Sequence, residues 1–200
     1  MAGTVQYWFS TASPWAWLGS ARLAQLALRT QAAVRVEPID LGAVFAATGG
    51  TPFPNRSPAR QSYRQLELAR WSRRLSVPIR LQPAHYPVDR EPSSRLVLAA
   101  REHGLDALAL SHAVLRAIWA EDRDIADWGT LQDIARDAGL DGAALIDSAR
   151  DPRIHARYLQ NTQAAIAAGV FGSPTYIVDG ERFWGQDRLD FLEERLGGGA

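Results

Sequence analysis

The spacing of hydrophobic residues at the start of the chain changes from period two to a helical period and back. Every second residue of Thr4–Phe9 is hydrophobic and β-prone, which predicts a strand. Leucines and alanines with helical spacing predict a helix over residues 14–29, and residues 34–39 again have strand character. Together they predict a parallel βαβ unit with a right-handed crossover.

The middle of the chain has helical periodicity. It begins after a loop rich in turn residues at 49–58, and the predicted helices cover residues 59–75, 93–103, 107–120, 128–138, 142–149 and 152–168. Asp127 is a candidate N-cap, and Gly139 and Gly169 are candidate helix ends. These features predict an all-helical segment.

The stretch from residue 169 to residue 189 predicts a hairpin followed by a helix. Thr175–Val178 is β-branched and aromatic, Asp179-Gly180 is a two-residue hairpin signal, and residues 182–184 form the return strand. Leucines at helical spacing follow Asp187, which we expect to start the last helix. An edge hairpin with a capping helix, as in any α/β domain, is the simplest interpretation of this pattern.

Composition excludes several classes of function. The 22 basic residues, all of them arginine, and the 22 acidic residues cancel, so nothing favours binding to nucleic acid or to an anionic membrane. The chain has no cysteine, which excludes disulfides, zinc–thiolate sites and dithiol redox chemistry. His103, His112 and His155 show no metal-binding spacing. With neither a signal-peptide pattern nor an apolar run of membrane-spanning length, the sequence predicts a soluble cytoplasmic protein.

Ser13 is the first candidate for chemistry. It follows the first strand and precedes Pro14 at the start of the first helix, which is a preferred position for an N-cap. Free N–H groups and the helix dipole also favour an anion there. Capping alone explains the serine, and no histidine lies near it in sequence to form a hydrolase triad.

Both ends of the chain resemble one family. Residues 169–189 contain Gly-Val-Phe-Gly-x-Pro-Thr, Asp-Gly and Phe-Trp-Gly-x-Asp-Arg-Leu, and residues 9–18 contain Phe-x-x-x-Ser-Pro-Trp-Ala-Trp-Leu. These motifs resemble the 2-hydroxychromene-2-carboxylate isomerases, which are glutathione-dependent and related to the kappa-class glutathione transferases and the DsbA-like oxidoreductases. The resemblance implies an α/β thioredoxin-like fold. Its β-α-β and β-β-α parts would come from residues 1–45 and 169–200, with an all-helical insertion at 46–168.

The resemblance also implies which residues bind glutathione. Ser13 corresponds to the family's catalytic serine, which stabilises the glutathione thiolate, and Ala16 stands where redox relatives have their second cysteine. Ser173 and Pro174, joined by a cis peptide bond in the family, would lie beside the active site. The remaining glutathione-binding residues form one turn: Trp184, Gly185, Gln186 and Asp187. Backbone donors of this turn suit the γ-glutamyl carboxylate, and its aspartate suits the ammonium group.

The implied substrate is a small aromatic carboxylate. Asn55 and Arg56 resemble an Asn-Arg pair near the substrate carboxylate, and Tyr86 corresponds to a substrate-contact tyrosine. A solvated loop arginine and a packing tyrosine remain alternatives for the last two. Ala46 departs from the family, because it replaces a lysine assigned to substrate binding.

The sequence therefore predicts a glutathione-dependent isomerase of aromatic catabolism, interconverting 2-hydroxychromene-2-carboxylate and trans-o-hydroxybenzylidenepyruvate. One alternative is a kappa-like glutathione transferase acting on another electrophile, which Ala46 favours. The other is a non-catalytic thioredoxin-fold protein that holds a peptide beside Pro174. No metal, nucleic acid or membrane partner is expected, and exposed apolar helix faces would permit a homodimer.

Overall fold

A four-stranded mixed sheet carries helices on both faces in the computed structural model, which describes residues 3–197. The strands are β1 (Thr4–Phe9), β2 (Ala33–Pro38), β3 (Thr175–Val178) and β4 (Glu181–Trp184). The helices are α1 (Pro14–Thr30), α2 (Leu41–Thr48), α3 (Pro58–Leu75), α4 (Glu91–Glu102), α5 (Ala107–Trp119), α6 (Trp128–Asp137), α7 (Gly142–Arg150), α8 (Pro152–Ala167) and α9 (Leu189–Arg195). Short 3-10 turns lie at Phe53–Asn55 and Gln186–Arg188. Among residues 3–197, no helix has the length and hydropathy that a membrane span requires.

The strand order β2-β1-β3-β4 is that of the thioredoxin fold, as the sequence predicts. β1 pairs in parallel with β2 and antiparallel with β3, so that Tyr7 lies between Val36 and Tyr176. β3 and β4 form the predicted antiparallel hairpin. It turns at Asp179 and Gly180, whose φ values of 49° and 84° are those that a tight hairpin turn requires.

Both faces of the sheet are buried, each by different helices. Tyr7 and Phe9 belong to a large hydrophobic cluster with residues of α1 and the helical insertion. Trp8 belongs to a second cluster, which includes Val44 of α2 and Ala165 of α8. Because successive strand residues face opposite sides of a sheet, the consecutive hydrophobic residues at 7–9 in β1 reflect burial on both sides.

Helices α3 to α7 extend the larger cluster away from the sheet. Leu96 of α4 and Trp119 of α5 are fully buried in it, so the insertion and the sheet share one core. The predicted division after residues 45 and 168 stays a prediction. Its first boundary falls inside α2, and α8, within the predicted insertion, contributes Ala165 to the cluster on the sheet.

A buried carboxylate joins β2 to two of the helices. Glu37 accepts hydrogen bonds from Arg101 of α4 and from Asn161 Nδ2 of α8, the latter at 2.7 Å. Arg35 Nε lies 2.5 Å from its other oxygen. Since a buried carboxylate is costly unless its oxygens are paired, this network holds α4 and α8 in place against the sheet.

Helix ends follow the local sequence signals. Asp127 caps α6 by accepting a hydrogen bond from Thr130 N at 2.6 Å. Gly139 and Gly169 follow α6 and α8 with φ values of 80° and 74°, so both predicted glycine stops are confirmed. Glycine adopts this left-handed conformation without the steric cost that other residues incur.

The sequence did not predict α2. Asp40 caps this helix by accepting a hydrogen bond from Gly42 N at 2.8 Å, and Gly49 ends it with a φ of 77°. The helix has eight residues, nearly all apolar, of which only Val44 is buried. Its sequence therefore has no amphipathic periodicity that would identify a helix.

Candidate active site

Ser13 lies where the chain passes from β1 to α1. It is the N-cap of α1, as predicted, and its Oγ accepts a hydrogen bond from Ala16 N at 3.2 Å. The same hydroxyl donates to the carbonyl oxygen of Ser173 at 3.3 Å. Ser13 is 5% exposed. It therefore caps the helix and also contacts the second motif that the sequence singles out.

Ser173 and Pro174 immediately precede β3. Their peptide bond is cis. Ser173 Oγ accepts a hydrogen bond from Ser10 N at 2.9 Å, and the Pro174 carbonyl oxygen accepts one from Gly185 N at 2.9 Å. These bonds bring together the end of β1, the start of β3 and the turn that follows β4.

A cleft of about 320 Å³ is lined by Ser13 and Ser173. Its other walls come from α2, the 3-10 turn before α3, α3 itself, the loop before α4, and β4. The aromatic side chains that line it are Trp15, Phe45, Phe53, Tyr86 and Trp184. Such a surface suits a planar aromatic ligand.

The charged side chains that line this cleft are all arginine. Arg56, Arg64 and Arg90 line it, and no Asp or Glu of the described residues does. The first turn of α1, which begins at the cleft, contains no acidic residue. Because the helix N-terminus adds partial positive charge, the cleft suits an anionic ligand.

Trp184 forms part of the cleft wall and is 52% exposed. Its ring packs edge-on against Phe171, with ring centroids 4.8 Å apart. Gly172 lies so close to the indole nitrogen of Trp184 that a Cβ at this position would overlap it. Glycine at 172 therefore allows Trp184 to reach the cleft.

Gln186 and Asp187 do not line the cleft. Gln186 is buried, and Arg22 Nη1 of α1 donates hydrogen bonds to its backbone and side-chain oxygens, both at 3.2 Å. Asp187 is half-buried, with Arg188 Nη1 3.5 Å from its carboxylate. The structure thus places the turn against α1, and the glutathione-binding roles of these two residues stay predictions.

The prediction that Asp187 starts the last helix is wrong. The chain leaves β4 through Gly185, whose φ of 111° is rarely adopted by residues with a side chain. Gln186–Arg188 then form a 3-10 turn, and α9 begins only at Leu189. Asp187 lies in the middle of this turn, so it is not the N-cap of a helix.

The predicted substrate residues are placed differently from one another. Arg56 and the half-buried Tyr86 line the cleft. Asn55 is exposed at the end of its 3-10 turn and does not line it. Ala46 is exposed as well, whereas its neighbour Phe45 lines the cleft. The substrate-binding roles of Asn55, Arg56 and Tyr86 stay predictions.

Sequence reasoning missed Arg64 and Arg90. Arg64 and Leu68, four residues apart, are the two buried residues of α3. An arginine on the buried face of an amphipathic helix is unusual, and this signal could have identified it. Arg90 precedes α4 in a loop, where no sequence pattern distinguishes it from a solvated arginine.

Tyr176 lies behind the turn that contains Gln186. Its hydroxyl is buried and has no hydrogen-bond partner among residues 3–197. Burial raises the pKa of this hydroxyl well above its usual range, while Arg22 lowers it and Asp187 raises it further. A phenol that stays protonated in this way is not a general base at neutral pH.

The fold and cleft define a thioredoxin-type protein. Residues 4–197 match the sequence model of the DSBA-like thioredoxin domain, and the chain belongs to this family.

Curated 2-hydroxychromene-2-carboxylate isomerases match this chain along nearly their whole length. The isomerase of Sphingobium xenophagum is 32% identical over 197 residues, which cover 98% of this chain and 99% of that protein. The isomerase of Pseudomonas putida is 30% identical over 198 residues, which cover 96% and 94%. The predicted membership of the 2-hydroxychromene-2-carboxylate isomerase family is thus confirmed.

Solved structures agree with this assignment. A 2-hydroxychromene-2-carboxylate isomerase superposes with a TM-score of 0.85 at 28% identity, covering 97% of this chain and 94% of that chain. The cytosolic disulfide reductase DsbM from Pseudomonas aeruginosa superposes with a TM-score of 0.69 at 21% identity, covering 97% and 98%, which shows a shared fold. The predicted DsbA-like thioredoxin fold is therefore confirmed, and the isomerase relatives support an enzyme.

Proposed function

We propose that this protein is a glutathione-dependent isomerase interconverting 2-hydroxychromene-2-carboxylate and trans-o-hydroxybenzylidenepyruvate, with Ser13 stabilising the glutathione thiolate. The names of its sequence relatives support the isomerase reaction. One observation carries the role of Ser13. Its hydroxyl lies at the N-terminus of α1, in a cleft whose charged lining residues are all arginine.

Glutathione, when bound, supplies a thiolate that adds reversibly to a conjugated electrophile. A free thiol, with a pKa of about 8.5, is mostly protonated at neutral pH. Ser13 lowers such a pKa because its hydroxyl donates to the ionised sulfur and because α1 presents its positive end. The hydroxyl donates to Ser173 over 3.3 Å, longer than the usual distance of about 2.8 Å. If the hydroxyl turns toward a thiolate, the protein therefore loses only a weak hydrogen bond to Ser173.

Ser173, which contacts Ser13, and Asp187 of the turn after β4 offer groups that fit the rest of the tripeptide. The Ser173 N–H donates to none of residues 3–197, so it can bind a peptide carbonyl. The half-buried carboxylate of Asp187 suits the γ-glutamyl ammonium group. Because Arg22 occupies the side-chain oxygen of Gln186, we assign Gln186 the supporting role of holding this turn.

The aromatic and cationic lining of the cleft fits the second substrate. Trp15, Phe53 and Tyr86 offer ring surfaces, and Arg56 offers paired donors for a carboxylate. All 22 basic residues of the chain are arginines, so no lysine is available to bind the substrate carboxylate. The arginines of this cleft therefore take the place of the family's lysine.

A glutathione transferase acting on another electrophile is the second candidate. The observation that favours it is the exposed Ala46, which leaves the family's substrate lysine without an equivalent at that position. The same glutathione site would serve either enzyme. The two differ in whether the product retains the glutathionyl group.

The test is an absorbance assay of isomer interconversion by the purified full chain, with and without glutathione. The proposal expects conversion that requires glutathione and falls in Ser13→Ala. Asp141→Ala is the matched control, because Asp141 caps α7 by accepting a hydrogen bond from Ala144 N and does not line the cleft. Equal conversion without glutathione would refute the glutathione dependence, and a stable glutathione conjugate would favour the transferase.

A further inference from the structure

Arg64 is the most deeply buried arginine of the described chain, with 9% of its surface exposed. It lies on α3 and lines the cleft that contains Ser13. Its guanidinium carbon lies 4.1 Å from the ring centroid of Phe53 and 5.9 Å from that of Tyr86. Two aromatic rings of the cleft therefore position this cation.

No carboxylate between residues 3 and 197 forms an ion pair with Arg64. Other enclosed arginines do have partners: Arg95 Nη1 lies 3.2 Å from Glu91, and Arg101 is paired with Glu37 and Glu102. Removing a guanidinium from water without an anionic partner is costly. The packing of the chain alone does not account for an unpaired arginine at this position.

The electrostatic surroundings of Arg64 point to an external anion. Burial lowers the pKa of its guanidinium, Tyr86 raises it, and the nearby charge of Arg56 lowers it again. The group nevertheless stays protonated at neutral pH, because the pKa of arginine starts far above neutrality. Two like charges thus line one cleft, and an anion bound by both guanidinium groups would offset their repulsion and the cost of burying Arg64.

We propose that Arg64 and Arg56 together bind the carboxylate of the aromatic electrophile, with Arg64 setting the specificity for an anionic substrate. This inference rests on the function proposed above. Phe53 and Tyr86, which contact Arg64, also line the cleft and provide surfaces for the electrophile's ring. The planar guanidinium can bind both oxygens of a carboxylate.

A glutathione carboxylate has the same chemistry, but the structure favours the electrophile. The groups assigned to the tripeptide, Ser173 and Asp187, belong to segments on either side of the β3–β4 hairpin. Arg64 belongs to the helical insertion, where its neighbours in the cleft are aromatic. Binding of each carboxylate ligand in the absence of the other distinguishes the two possibilities.

The test measures binding by calorimetry with chromone-2-carboxylate and chromone-2-carboxamide, two planar probes that differ in charge, without glutathione. Wild type should prefer the carboxylate, and Arg64→Met should reduce that preference about ten-fold or more, as expected for a hydrogen bond to a charged group. Arg73→Met is the control. It removes the same charge from an exposed position of α3 that does not line the cleft. Its preference should equal that of wild type.

Arg64→Lys tests the inference if Arg64→Met does not fold, because lysine keeps the charge but loses the paired donors. We expect a smaller drop in preference, and an unchanged preference in either folded variant would overturn the inference. A second arm uses S-methylglutathione. Weaker binding of that probe to Arg64→Met, with the chromone preference intact, would assign Arg64 to the tripeptide and also overturn it. An Arg64-dependent preference in a protein without isomerase turnover would support the carboxylate site and refute the proposed function.

Discussion

The Ser13 hydroxyl donates a hydrogen bond to the Ser173 carbonyl oxygen across 3.3 Å. The bond joins the N-cap of α1 to the residue before Pro174, although 160 positions separate the two serines in sequence. A thiolate bound at this point would compete with the carbonyl for the Ser13 proton. One hydroxyl thus connects helix capping, the contact between the two ends of the chain and the proposed chemistry.

Ser13→Ala should raise the pKa of bound glutathione by roughly one to two units. A hydrogen bond to a charged acceptor contributes about 1.5–3 kcal/mol, and one pKa unit corresponds to about 1.36 kcal/mol. The positive end of α1 stays in place and accounts for the remaining shift. Titration of thiolate absorbance against pH, for wild type and variant with bound glutathione, measures the change directly.

The same substitution removes an N-cap, which costs about 1 kcal/mol in the free energy of unfolding. Asp141→Ala should lose a similar amount of stability with no change in the thiol pKa, since its cap does not line the cleft. If Ser13→Ala lowers stability but leaves the thiol pKa unshifted, Ser13 is only a structural residue.

Asp187→Ala should weaken glutathione binding by roughly 1.5–3 kcal/mol, as expected for losing a hydrogen bond to a charged group. Calorimetry with S-methylglutathione measures the dissociation constant without the thiol. Asp137→Ala is the control, because Asp137 is exposed and paired at 3.1 Å with Arg123, which does not contact the turn. Equal affinities of wild type and folded Asp187→Ala would mean that the γ-glutamyl group binds elsewhere.

Gly19→Ala should destabilise the protein, although alanine is the better helix former by about 1 kcal/mol. A Cβ at Gly19 would lie 2.8 Å from Gln186 Cβ and 3.2 Å from the Tyr176 hydroxyl, so the turn at residues 185–187 would have to move. We expect a loss of about 1–3 kcal/mol on chemical denaturation, together with weaker glutathione binding.

Gly129→Ala in the first turn of α6 is the matched control for Gly19→Ala. Its added Cβ would meet only the Asp127 carboxylate that caps the helix, at 3.2 Å, and a shift of that side chain by a few tenths of an ångström relieves the contact while keeping the cap. This variant should be neutral or more stable. If Gly19→Ala behaves in the same way, α1 does not need glycine to approach the turn.

His112 should make stability depend on pH. Burial, followed by the charge of Arg116, lowers the pKa of its imidazole in the folded protein, so the unfolded chain binds the proton more readily. The free energy of unfolding should therefore decrease as pH falls below about 6.5, the usual histidine value. His112→Gln should flatten that slope in denaturation measured from pH 8 to pH 5. An equally steep slope in the variant would assign the dependence to other groups.

Local sequence determined the strands and most helices of this protein. Alternation predicted Thr4–Phe9, and β-branched and aromatic residues predicted Thr175–Val178, both with the bounds that the structure has. Ser13 and Gly169 marked helix ends, because capping depends on a few neighbouring residues and on the backbone conformation that each allows. The motif resemblance then led to the family.

Only the tertiary structure decided which of the candidate residues meet in the cleft and which other side chains join them. Arg64 and Ser13 line the same cleft, although α1 and α3 contribute them separately. Arg56 lines the cleft, whereas its exposed neighbour Asn55 does not. Asp187 lies in a 3-10 turn that packs against α1. Local periodicity determines which face of an element is buried. Which side chains then meet depends on how distant elements pack, and sequence spacing does not record those contacts.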